Sequence, residues 1–193
     1  MSPQSKPKNN SFNYGDYLNW PEDERWELID GVPYNMTPAP SRAHQKILAA
    51  LLTKFYSFLE DKECEVYSAP FDVRLPEGQE EPQEITTVVQ PDLVVVCDRA
   101  KLDDKGCMGS PDLIVEITSP STVRKDIKEK FYLYERMGVK EYWIINPIDE
   151  TLITFISDSN GKYGRPGIYS REDTIQVGVL KGLSIPLKEL FKK

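Results

Sequence analysis

Two carboxylates stand where carboxylates are costly. Asp92 opens the apolar run in QPDLVVVC, and Glu116 lies inside the apolar run of SPDLIVEIT. Side chains alternate along a strand, so Asp112, Ile114 and Glu116 share one face and Leu113, Val115 and Ile117 the other. A carboxylate inside such a run needs a cation, a donor network or a wet cleft, because burying it unpaired is unfavourable. If the two strands are neighbours, Asp92 and Glu116 converge on one ion, and a water on that ion is a usable nucleophile toward a phosphodiester. Oxygen ligands select a hard cation, Mg²⁺ or Mn²⁺. Other chemistries find little support. Neither GxxxxGK[ST] nor GxGxxG occurs. The lone histidine, His44, has no GxSxG elbow to serve, and one His with scattered Cys makes a poor zinc site.

The elements that must position these acids can be read from local signals. Asp30-Gly31, between WELI and VPYNM, is a hairpin turn pair that tolerates positive φ. Ser41 is placed to cap a helix over 42–60, in which Ile47, Leu51, Leu52, Phe55 and Leu59 fall on one face. Residues 65–74 read as a strand, with Pro70 marking an edge or bulge. An acidic loop over 76–85 follows. The runs 92–97 and 112–117 read as buried central strands. After the turn Thr118–Thr122 a helix runs to Met137, stopped by Gly138, and a strand over 141–146 completes a strand–helix–strand crossover. The tail from Thr151 alternates strand pieces with Gly turns and ends in a short helix near 187–192. On the first helix turns after Thr122, Asp126, Lys130 and Tyr134 are spaced i, i+4, i+8, one stripe.

The chain of 193 residues suits a polar tail over 1–13 and one domain over 14–193. Its longest apolar runs are strand-length, so no membrane span is expected, and MSPQSKPKNN lacks a signal-peptide core. Three cysteines, Cys64, Cys97 and Cys107, predict no disulfide framework and a reducing, cytoplasmic setting. A net charge of −7 counts against a generic nucleic-acid binder, though not against an enzyme that meets phosphate through a metal and a local basic patch. Strand edges in the C-terminal part suggest pairing into a homodimer.

The ordered segments WELIDG, NMTPAPSRAHQKI, PDLIVEITSPST, GVKEYWIINP, spanning about 26 to 147, resemble the Uma-two family, described as "putative restriction endonucleases", within the PD-(D/E)XK nuclease superfamily. The resemblance implies an α/β, restriction-endonuclease-like fold: a central mixed β-sheet flanked by helices. It implies a metal-dependent DNA endonuclease in which Asp92 and Glu116, with Ile117, hold Mg²⁺ or Mn²⁺. The superfamily lysine expected two residues after Glu116 is Thr118 here, and the family pattern moves it to Lys130. Glu27 matches an extra acid from an early element, and Asp126 and His44 stand as accessory members.

Each residue also has a plainer reading. Asp92 can be a strand-opening acceptor. Asp126 and Lys130 can be an exposed helical ion pair, worth about 0.3–0.5 kcal/mol. Glu27 can be a cross-strand partner in the hairpin, and His44 a capping or surface residue. Tyr134, Phe131 and Trp143 read as core. Two rival functions follow: a nuclease fold kept as a binding or regulatory module without catalysis, and a hydrolase of small phosphodiesters.

Overall fold

The computed structural model describes residues 11–21, 23–36 and 40–192. In chain order the elements are α1 (Tyr14–Tyr17), β1 (Trp26–Ile29), β2 (Val32–Asn35), α2 (Arg42–Leu59), β3 (Glu65–Ser68), β4 (Val73–Arg74), β5 (Val88–Val89), β6 (Leu93–Val96), β7 (Leu102–Asp103), β8 (Gly106–Met108), β9 (Leu113–Ile117), α3 (Phe131–Met137), β10 (Glu141–Asn146), β11 (Thr151–Ile156), β12 (Gly167–Ser170), β13 (Thr174–Gln176) and β14 (Ser184–Pro186). The central sheet has the order β12-β11-β10-β9-β6-β3 and is mixed: β9 and β10 run parallel across the α3 crossover, and the other neighbours are antiparallel.

Alternation along the central strands builds two cores, one on each face. Leu93, Val95, Leu113, Val115 and Trp143 pack on the apolar stripe of α2, from Ile47 to Leu59. Val94, Val96, Ile114, Tyr142 and Ile144 face the other way, onto Leu133 and Tyr134 of α3 and onto Val73 and Val89. Those last two belong to a second six-stranded sheet, β2-β1-β5-β4-β8-β7, which the sequence reading did not anticipate. The Ser41 cap and the Asp30-Gly31 turn appear as read: the Ser41 side chain accepts from His44 N, and Asp30 and Gly31 both have positive φ, 50° and 76°.

Three expectations need correction. The strand over 65–74 is two strands in two different sheets, parted at Pro70, which has no N–H to continue a ladder. The helix before Met137 opens with a π-helical turn over Lys125–Lys130, wider than the α-helix that regular spacing implied. And Cys64 and Cys97 form a disulfide, closing a separation of 33 residues. Glu65 pairs with Val96, so the same register sets Cys64 opposite Cys97. Counting cysteines cannot reveal a strand register, and the reducing-compartment expectation loses its support. Among the described residues no helix is long and apolar enough to cross a membrane. Of the tail expected over 1–13, residues 1–10 lie outside the described residues. Phe12 N donates to Gly31 O, and Asn13 caps α1, so that part is tied to the body.

Candidate active site

The two acids come from neighbouring strands. Leu93 of β6 pairs with Val115 of β9, and the same register carried one residue further sets Asp92 opposite Glu116. Directly opposed residues of an antiparallel pair share a face. Each acid is anchored by one oxygen. Asp92 Oδ2 accepts from Ile117 N at 2.7 Å and contacts His44 Nε2 at 3.0 Å. Glu116 Oε1 accepts from Lys130 Nζ at 2.7 Å and from Tyr134 Oη at 2.8 Å. Among the described residues no hydrogen bond engages Asp92 Oδ1 or Glu116 Oε2.

Lys130 is the hub. It is 3% exposed, and its ammonium also donates to Glu27 Oε1 at 2.6 Å. Glu27, equally buried, sits on β1 opposite Tyr34 yet turns inward, where Lys125 Nζ reaches its other oxygen at 3.3 Å and Gln90 N donates to Oε1. The hairpin-partner reading of Glu27 does not hold, since its carboxylate turns to Lys130, Lys125 and Gln90 N. The exposed Asp126–Lys130 pair is replaced too. Both residues are buried, and Lys130 bridges Glu27 and Glu116 instead. Lys130 still feels the Asp126 charge, but its hydrogen bonds go to Glu27 and Glu116.

Electrostatics follow from this burial. Desolvation pushes the Glu116 carboxyl up to about 8, against the pull of Lys130. Burial raises Glu27 as well, but Lys130 and Lys125 together hold it net below the ordinary carboxylate range. Burial opposes the Lys130 charge, yet Glu116 and Glu27 outweigh it and keep the ammonium well above its usual value. Asp126 is raised by burial. Burial thus opposes the Glu116 charge most strongly, while the two lysines favour the ionised form of Glu27.

Sequence reasoning missed Tyr134 and Lys125. Tyr134 is packed core, but its hydroxyl anchors Glu116, and a buried tyrosine hydroxyl in a helix stripe that carries Asp126 and Lys130 was the available signal. Lys125 gave none, since its reach depends on where β1 lies. His44 is buried against Asp92 and so is neither a surface residue nor only part of the cap; its Nδ1 has no partner among the described residues. Thr118, where the superfamily lysine would stand, is buried and donates to Ile145 O.

The donor set suits a hard cation. Its oxygens already enclose one, the Lys130 ammonium between Glu27 and Glu116. Among the described residues no three of His, Cys, Asp and Glu come close enough to hold a metal ion by themselves. Mg²⁺ keeps several waters and takes one or two protein carboxylates, so Asp92 and Glu116 are the residues that could hold it.

A mixed sheet with helices on its faces and acids from adjacent strands beside a helix-borne lysine defines a restriction-endonuclease-like α/β protein. The model of the Uma2 family, described as "Putative restriction endonuclease", matches residues 14–188, and the chain belongs to that family. An uncharacterized protein of Synechocystis sp. is 31% identical over 151 residues, 77% of this chain and 75% of that one. A crystal structure from Anabaena variabilis, titled as a "putative nuclease belonging to DUF820", superposes with a TM-score of 0.74 at 17% identity, covering 93% of this chain and 97% of that one. The last likeness establishes the fold.

Proposed function

We propose that this chain is a metal-dependent nuclease that hydrolyses phosphodiester bonds in DNA. The observation that carries the reading is the buried Glu27–Lys130–Glu116 bridge beside Asp92: two acids with an oxygen each to spare, and an ammonium within the same cluster. Asp92, Glu116 and the main-chain oxygen of Ile117 would hold Mg²⁺ or Mn²⁺. Such an ion supplies Lewis-acid stabilisation of developing charge on a phosphoryl oxygen.

The chain's own groups do the rest. Ile117 N and His44 fix Asp92, and Tyr134 fixes Glu116, so the oxygens left over are oriented before substrate arrives. Glu27 holds Lys130 after Glu116 gives up its share of the ammonium, and the long lysine stem then presents charge to the phosphate. Plasmid and single-stranded DNA incubated with Mg²⁺ or Mn²⁺ should be cut, and Asp92→Ala and Glu116→Ala should abolish cutting. Cleavage that persists in both variants refutes the assignment.

Two observations favour a second reading, a nuclease fold kept for binding. Lys130 already occupies the space between Glu27 and Glu116, and the net charge is −7. Under that reading calorimetry shows no Mn²⁺ heat that depends on Glu116. A homodimer through the edge strand β12, with Ile168 73% exposed, belongs to the proposal as well, and light scattering measures it.

A further inference from the structure

We infer that a second site, a nucleobase pocket, adjoins the acid cluster; its assignment rests on the nuclease reading. A cavity of about 450 Å³ opens between the two sheets' connections, lined by Tyr67, Phe71, Asp72, Gln90, Leu102 and Asp103. That volume falls within the range of about 300–1,000 Å³ typical of small-ligand sites. Tyr67 and Phe71 are only half-buried, and their rings stack with centroids 4.3 Å apart and planes 6° from parallel. Both rings line the cavity, so the stacked pair gives it aromatic surface on which another planar ring can lie, and every base has a π-face.

The polar side of the cavity is tightly built. Gln90 is buried and fully engaged: Oε1 accepts from Arg25 Nε and Nη2, and Nε2 donates to the Tyr17 hydroxyl and to Asp72 Oδ1. Tyr17 Oη donates to the same Asp72 oxygen at 3.1 Å. Asp72 is thus held in place through Oδ1, and among the described residues Oδ2 takes no hydrogen bond. A fixed carboxylate oxygen beside an aromatic platform favours a planar ring bearing an exocyclic amino donor, namely cytosine, adenine or guanine, over thymine, whose single N3–H is flanked by two carbonyl oxygens that a carboxylate repels.

A cationic side chain is the less favoured ligand. Asp104 also lines the cavity, but Asp103 is already paired with the buried Arg74, Lys105 stands in the same lining, and the stacked ring pair favours a planar ligand. The pocket is also coupled to the reaction centre through one residue: Gln90, which braces Asp72, donates its main-chain N–H to Glu27. A base lodged against Asp72 would be linked to Glu27 through Gln90. The pocket therefore takes an unstacked base, from a single strand or extruded from a duplex.

The test is binding of the full chain, in EDTA, to fluorescent single-stranded oligonucleotides with and without a central abasic site, alongside calorimetry with free deoxynucleosides. Phe71→Leu should weaken binding to the intact strand about tenfold and leave the abasic strand unchanged. Asp72→Asn keeps an acceptor for Gln90 and Tyr17 but offers a donor outward, so preference should move from amino-bearing bases toward thymine. Thermal denaturation of both variants controls for folding. Equal losses on intact and abasic strands, thymine bound as well as cytosine by the unaltered chain, or no binding of strand or nucleoside each overturns the pocket. Deoxynucleosides bound as tightly as strands support the pocket and assign it to free nucleotides. Base-dependent binding by a chain that cuts nothing sinks the nuclease reading alone, while Mg²⁺-dependent cutting indifferent to Phe71 and Asp72 sinks the pocket alone.

Discussion

Replacing Lys130 with methionine removes the one ammonium shared by two buried carboxyls. Lys130, Glu27 and Glu116 are all nearly inaccessible to water, so neither acid can recover its lost partner by hydration. Breaking a buried ion pair from one side costs about 3–5 kcal/mol. The cost falls mainly on Glu27, whose charge Lys130 favours and which is left with Lys125 alone, at 3.3 Å. A change of 1 kcal/mol shifts Tm by about 2–4 °C in a domain of this size, so Lys130→Met should melt roughly 6–20 °C lower. A divalent cation can replace the lost charge, and millimolar Mn²⁺ should return much of that difference to the variant while moving the unaltered chain less. Differential scanning calorimetry with and without Mn²⁺ reads both effects. If Lys130→Met melts with the parent, or if Mn²⁺ raises both by the same amount, the bridge is not the cation-holding element described above.

Three further outcomes are expected. Glu116 has a folded-state value of about 8 against an ordinary 4.5, so its stabilising contribution is full below about pH 4.5 and is lost as pH rises toward 8; urea titrations should show that decline in the parent and a flatter profile in Glu116→Gln. Tyr134→Phe removes one of two donors to Glu116 Oε1, so unfolding should become easier by ~1–3 kcal/mol, and DNA cleavage should fall more than the stability loss accounts for. His44→Ala frees Asp92 Oδ2 from its ring partner, and isothermal titration should find Mn²⁺ affinity lowered about 10–100-fold with the fold intact; an unchanged affinity would show that Asp92 needs no such support.

Local pattern was enough for much of this protein. The apolar runs around Asp92 and Glu116 read as buried strands because they are short, rich in β-branched residues and bounded by Pro and turn residues. Asp30-Gly31, Ser41 and Gly138 mark a turn, a helix start and a helix stop through backbone geometry that each residue carries by itself. The motif order was legible too, and with it the fold and the family.

What the chain order left open was every quantity set by register and layer. That Cys64 meets Cys97, that residues 65–74 divide between two sheets, and that Glu27 crosses from a hairpin to Lys130, 103 residues on, follow from pairings between distant segments. Spacing along one helix gave the wrong hydrogen-bond partner for Lys130, because the carboxyl groups of Glu27 and Glu116, brought in from β1 and β9, take its ammonium. Tyr134 shows the same division: its type and place in the stripe were visible in sequence, but only packing against β9 turns its hydroxyl into a donor to Glu116. Residue chemistry determined which groups could act, and long-range packing decided which of them meet, since burial removes the water that would otherwise satisfy each one separately.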